Sequence, residues 1–148
     1  MSDRHICKAK RKDNGEWVEG FYFCMVHDDG SHVHHFLMPF GADLSLGTSI
    51  GNIQVEIVPE TVCQCSGVPD KNSRKIFEGD IVRRKVFDEV VVGKVVWFDI
   101  GFCGFYLKCG YSFCSVGKDE YTGLSDCDEI IGNIFDNPEL LEGGALNE

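Results

Sequence analysis

Residues 59–82, PETVCQCSGVPDKNSRKIFEGDIV, constrain the fold more tightly than any other stretch of the chain. From Thr61 to Cys65 the side chains alternate, Val62 and Gln64 on one face and Cys63 and Cys65 on the other, which is the period of a strand. Ser66-Gly67 breaks that strand, because glycine reaches backbone angles closed to branched residues. Pro69 to Ser73 is a polar loop: proline presets φ, and Asp70 and Asn72 can bond the local backbone. Ile76 and Phe77 return to an apolar face. Gly79, between Glu78 and Asp80, marks a corner or bulge before a strand that starts at Asp80-Ile81-Val82. Near the C-terminus, EIIGNIFDNPELLE (residues 129–142) answers with a strand and then a helix start. Asn137 is placed to cap, Pro138 takes the first helical position, and Glu139 lies near the positive end of the dipole.

The remainder follows the same rhythm. Residues 4–12 are basic and read as a flexible lead-in, closed by the hairpin turn Asp13-Asn14-Gly15. Trp17 to His27 is the first long strand, with Trp17, Phe21, Phe23 and Met25 on one face and Val18, Gly20, Tyr22 and Cys24 on the other. Asp28 to Ser31 turns the chain into a returning strand over residues 32–37. Met38 to Ser49 is a loop, and Ile50 to Val58 resumes a strand. Asp80 to Phe87 and Val90 to Phe98 form the clearest hairpin, turning at Asp88-Glu89. Its second arm, VVVGKVVWF, has so little polar interruption that it should lie centrally with both faces covered. Phe102 to Lys108 is another strand, residues 111–127 are irregular with one short strand at Tyr111–Val116, and Asp128 to Phe135 closes the sheet.

Strand signals about every 8–12 residues with glycine-rich turns predict a mainly β, β-rich α+β fold of antiparallel strands. From Pro59 onward the glycine–aspartate corner and hairpin resemble an SH3-like small barrel, followed by a short C-terminal helix that Gly143-Gly144 ends. A chain of 148 residues makes one domain, or two lobes sharing it: an N-terminal β lobe over 1–58 and a small-barrel lobe over 59–148.

The order of several blocks carries more than any one of them. They are Asp13-Asn14-Gly15-Glu16-Trp17-Val18-Glu19-Gly20; Pro59-Glu60-Thr61-Val62 with Gln64 and Ser66-Gly67; Asp70-Lys71-Asn72; Phe77-Glu78-Gly79-Asp80-Ile81-Val82; and Ile131-Gly132-Asn133-Ile134 with Asn137-Pro138-Glu139-Leu140-Leu141. In this order and spacing the chain resembles the YopX protein family, found mainly in bacteriophages and prophages. The resemblance implies a mainly β fold and no established activity, so no catalytic residue carries over. Cys63 and Cys65 depart from the family pattern, where small, apolar or aromatic residues are more usual.

Composition bounds the function classes. An apolar fraction of 43% with eleven phenylalanines supplies a real core. No run approaches a membrane span, and the polar start MSDRHICKAKRK is unlike a signal peptide, so the expected compartment is the bacterial cytoplasm. There the eight cysteines are expected as reduced thiols, several of them inside apolar strands, as at Cys24, Cys103 and Cys114. Net charge is −10, with five of the fourteen basic residues in the first twelve positions and none beyond Lys118. An acidic body disfavours nonspecific binding to phosphate backbones.

Four constellations could carry chemistry. His32 and His34, with His35, His27 and Asp28-Asp29 nearby, could share a metal from one strand face, although an edge hairpin with surface histidines is the plainer explanation. Cys63 and Cys65 lack a second cysteine pair at metal-binding spacing, and core packing accounts for them. Glu78 and Asp80 could serve acid–base roles, but a polar turn needs no more than they supply. Arg83, Arg84 and Lys85, beside the strand bearing Trp97, form a possible binding surface in which cations hold phosphates and the aromatic stacks a base; a solvated edge strand is the plainer alternative.

No nucleophile motif, phosphate loop or dinucleotide fingerprint is present. The expectation is a non-catalytic phage or prophage accessory protein, with no metal or cofactor, whose partner is a host or phage protein. A nucleic-acid-binding small-barrel module is the alternative, no membrane partner is expected, and apolar strand edges leave a homo-oligomer open.

Overall fold

The computed structural model describes residues 3–40, 53–86, 88–100, 102–109 and 121–141. The fold is mainly β, its strands paired antiparallel, and the chain divides into two compact units, Met1–Cys65 and Ser66–Glu148.

The first unit is built on β1 (Cys7–Lys10), β2 (Trp17–Val26), β3 (Val33–Pro39), β4 (Val55–Glu56) and the start of β5 (Cys63–Pro69), in the sheet order β4-β3-β2-β1-β5. β1 corrects the expectation of a flexible basic lead-in. Cys7 and Ala9 alternate with Lys8 and Lys10, and Ala9 is buried against Leu37 and Ile57, so the apolar half of the alternation outweighs the charges. The turn after β1 is the expected one: Gly15 takes φ 74°, its N–H donates to the Arg11 carbonyl at 2.9 Å, and the Asn14 side chain accepts from the Glu16 N–H. β4 is shorter than expected, and residues 50–52 of that expected strand lie outside the described residues, as does most of the loop before it.

In the second unit β6 (Lys75–Phe77) follows β5 in strand order. A five-stranded sheet is formed by β7 (Asp80–Val86), β8 (Glu89–Ile100), β9 (Phe102–Cys109), β10 (Tyr121–Gly123) and β11 (Glu129–Asn133), in the order β10-β9-β8-β7-β11. Its core is Ile76, Val82 and Val95, with Leu124 and Ile130 packed on it. β8 is central, as its sequence predicts, and Val91 and Val95 are buried, but Trp97 is 41% exposed, so one face is covered only in part.

Three expectations change here. The small barrel is an open sheet among the described residues: β10 pairs with β9, and β11 with β7, so the two ends of the order do not meet. β10 lies at Tyr121–Gly123, in a stretch read as irregular, while the strand expected at residues 111–116 falls outside the described residues. The expected C-terminal helix is, in the described residues, a single 3-10 turn, Pro138–Leu141. The Asn137 side chain reaches back to accept from the Asn133 N–H at 3.3 Å, tying the turn to β11. Gly143-Gly144 lies outside the described residues.

Candidate binding surface

Aromatic and branched residues favour extended backbone, and they supply six of the ten residues of β2. Its partner β3 runs beside it from Gly20↔Pro39 to Val26↔Val33, with Phe23 stacked on Phe36 at 5.4 Å between ring centroids. The neighbouring strands cover only the base of this hairpin. β1 pairs with β2 no further than Gly20, and β4 pairs with β3 only at Phe36 and Leu37. The rest is a two-stranded arm with an open outer edge along β2 among the described residues.

Apolar side chains stand exposed on both faces of the arm, beside His34 on one and His35 on the other. Phe21 and Met25 are 43% and 53% exposed on one face, with Phe40 set edge-on to Phe21 at 5.3 Å; Tyr22, Val26 and Val33 are exposed on the other. Six of the eight large apolar side chains that stand exposed among the described residues are these. Cys24, expected inside a strand core, is exposed here as well, because its cross-strand neighbour is His35 and no third strand covers the pair. Lys8 and Lys10 extend over the Trp17 ring at 4.9 and 5.4 Å at the base of the same sheet, a cation–π arrangement. Whether Trp17 and Phe21 were core or interface could not be read from alternation alone; the run Phe21–Val26, apolar at every position, was the signal that both faces want cover.

The expected cationic surface is distributed differently. Opposite residues of an antiparallel pair share a face, and the register Ile81↔Lys94 to Val86↔Glu89 puts Arg83 and Lys85 on one face of the sheet and Arg84 on the other with Trp97. Along β8, Trp97 is six positions from Val91, the residue opposite Arg84, a separation of about 20 Å. Arg83 donates to Glu129, whose carboxyl is held below its ordinary range by Arg83 and then Lys71. Arg84 makes a two-pronged pair with the fully buried Asp128, at 2.5 and 2.8 Å. Lys85 is exposed.

The other candidates divide clearly. Cys63 and Cys65 are both buried with Gln64 exposed between them, as the alternation predicts, and the Cys63 thiol donates to the Thr61 carbonyl at 3.2 Å. Burial raises the Glu78 carboxyl, while Asp80 is buried and accepts the Phe77 N–H at 2.8 Å, closing the corner in which Gly79 takes φ 86°. Of the histidines, His32 and His34 do not meet as expected; the register brings His27 and His34 together instead, with Nε2 atoms 3.3 Å apart. Among the described residues no three or more His, Cys, Asp or Glu side chains converge as a metal cluster, and no helix is long and apolar enough to cross a membrane.

With this geometry in place, the comparison with known families is decisive: YopX protein matches residues 8–142. The chain belongs to the YopX protein family. Its fold is similar to that in the crystal structure of protein EF1440 from Enterococcus faecalis, at 24% identity over 92% of this chain and 96% of that one, with a TM-score of 0.50. No curated protein matches the chain.

The blocks that carry the YopX resemblance do architectural work in this chain. Asp70 in Asp70-Lys71-Asn72 is buried, and its carboxylate accepts the N–H groups of Asn72 and Arg74 at 2.8 Å and of Ile130 at 3.2 Å, joining the β5–β6 turn to β11. Gly132 leaves room for Asn137, whose Oδ1 would lie 2.6 Å from an added Cβ. These buried acid hubs were missed in the sequence, where Asp70 reads as an ordinary loop residue and Asp128 as the start of a strand.

Proposed function

We propose that this YopX-family chain is a phage or prophage accessory protein that acts in the bacterial cytoplasm without catalysis, by binding another protein through the β2–β3 arm. The observation that carries this reading is an arm with large apolar side chains exposed on both faces and its outer edge unpaired among the described residues. A two-stranded ribbon on its own is marginally stable in water, and an exposed apolar patch of this kind favours a partner that covers it. The chemistry fits an extended segment of the partner that adds to the β2 edge, its backbone pairing with the strand and its alternate apolar side chains lying beside Phe21 and Met25. The acidic balance of the chain, −10, accords with a protein partner rather than nucleic acid.

The nucleic-acid alternative would draw on Arg83, Arg84, Lys85 and Trp97, which the β7–β8 register spreads over two faces with two of the cations in ion pairs. The two readings separate in one comparison. A photo-crosslinker at position 23 of the full chain should capture a discrete host or phage protein, and Phe21→Asp with Met25→Asp should abolish that capture while circular dichroism stays unchanged. A captured set indifferent to those substitutions, with labelled DNA retained at low salt until Arg83→Glu and Arg84→Glu release it, would replace this reading with the other.

A further inference from the structure

The hairpin that closes the arm holds a second feature. His27 and His32 face each other across the turn, the His27 N–H donating to the His32 carbonyl at 3.0 Å, and His34 follows two positions on, diagonal to His27 on the same face. The two Nε2 atoms of His27 and His34 stand 3.3 Å apart, with ring centroids 5.3 Å apart and planes tilted by 57°. Two nitrogens each about 2.0–2.1 Å from a tetrahedral Zn²⁺ are about 3.3–3.4 Å apart, so the pair has the span of one edge of such a site. The same 3.3 Å also suits an N–H···N hydrogen bond between the rings, which a bound ion would replace.

The far side of one ring is fixed. His34 Nδ1 lies 3.2 Å from Glu56 Oε1, and Lys12 Nζ holds the same carboxylate oxygen at 3.2 Å. With a proton on Nδ1 shared with Glu56, the lone pair of His34 is on Nε2, facing His27; a carboxylate behind a ligand histidine is the arrangement that sets its tautomer and orientation in metal sites. His32 is a further donor beside the pair, its ring 5.6 Å from that of His27 and its Nδ1 engaged by Ser31 Oγ at 2.7 Å. His35 is on the opposite face, 2.6 Å from the Tyr22 hydroxyl.

We propose that His27 and His34 form a binding site for a divalent transition-metal ion, Zn²⁺ being the natural fit, with Glu56 as the positioning residue for His34. The protein supplies two imidazoles and water completes the shell. This departs from the expectation of no metal, and it stands apart from the protein-binding reading, since the site needs no partner.

The test uses the full chain without a histidine tag. Calorimetric titration with ZnCl₂ should give one equivalent bound; His27→Ala and His34→Ala should each abolish it, Glu56→Gln should weaken it by about tenfold or more, and His35→Ala should leave it unchanged. Addition of Co²⁺ to the unaltered protein should broaden the imidazole proton signals of His27 and His34 before those of His35, a readout that needs no variant. Absence of a one-equivalent isotherm, binding indifferent to His27→Ala and His34→Ala, or broadening centred on other residues would each overturn the proposal.

Discussion

Asp70 decides its neighbourhood through one carboxylate. Burial by itself raises its pKa, but the N–H groups of Arg74, Ile130 and Asn72, with the charge of Arg74, outweigh that and hold the folded value below the ordinary one. An aspartate depressed in the folded state contributes stability that is complete above its unfolded pKa of about 3.9 and is lost as pH falls through the lower folded value. Stability of the second unit should therefore decline below about pH 4, and Asp70→Asn should flatten that acid limb while lowering stability at pH 7. Urea midpoints measured from pH 2 to pH 7 check this; an acid limb equally steep in Asp70→Asn would mean that other carboxylates set it.

At the scale of the element, the two strands of the arm are held unusually close at one point. A Cβ added at Gly20 would lie 2.0 Å from the Met38 carbonyl oxygen and 2.9 Å from the Pro39 Cα, both backbone atoms that cannot rotate away. Gly20→Ala should therefore push β2 and β3 apart and cost about 3 kcal/mol. Gly30→Ala, in open space but at φ 70°, should cost only about 1 kcal/mol from backbone strain. Thermal denaturation of the two variants separates these effects. The turns at Gly15, Gly30 and Gly79 and the strands β2, β3, β7, β8 and β9 were legible in the sequence, because they depend on residues adjacent in the chain. β1 was obscured by charge density, although Cys7 and Ala9 already carried its alternation. The open sheet was not legible, since closure depends on whether the first and last strands pair, which no local signal records. For the same reason Arg83 and Arg84 looked like a free surface: their carboxylate partners, Glu129 and Asp128, lie 46 and 44 residues away along the chain.

Each unit of the whole molecule carries its own apolar cluster and one of the chain's two tryptophans, Trp17 in the first and Trp97 in the second. Single-tryptophan variants thus read the units separately. Asp128 is fully buried and paired with Arg84, and removing one member of such a pair costs about 3–5 kcal/mol, because the other charge keeps its burial without compensation. Asp128→Ala should accordingly lower the denaturant midpoint reported by Trp97 more than that reported by Trp17, and Gly20→Ala should do the reverse. Equal shifts at both reporters in both variants would mean that the units unfold as one.

The arm also bears on how such a protein can change over generations. Its exposed side chains lie outside both apolar clusters, so replacing them leaves the forces that fold the molecule nearly untouched and, on the proposed reading, would change what it grips. On that reading recognition would be free to drift with a shifting host, whereas Asp70, Asp128 and Gly20 are pinned by what surrounds them. Replacing only the exposed Phe21, Tyr22, Met25, Val26 and Val33 with the residues of a relative should then carry over its choice of partner without altering melting behaviour, because buried Leu37 and its cluster stay intact.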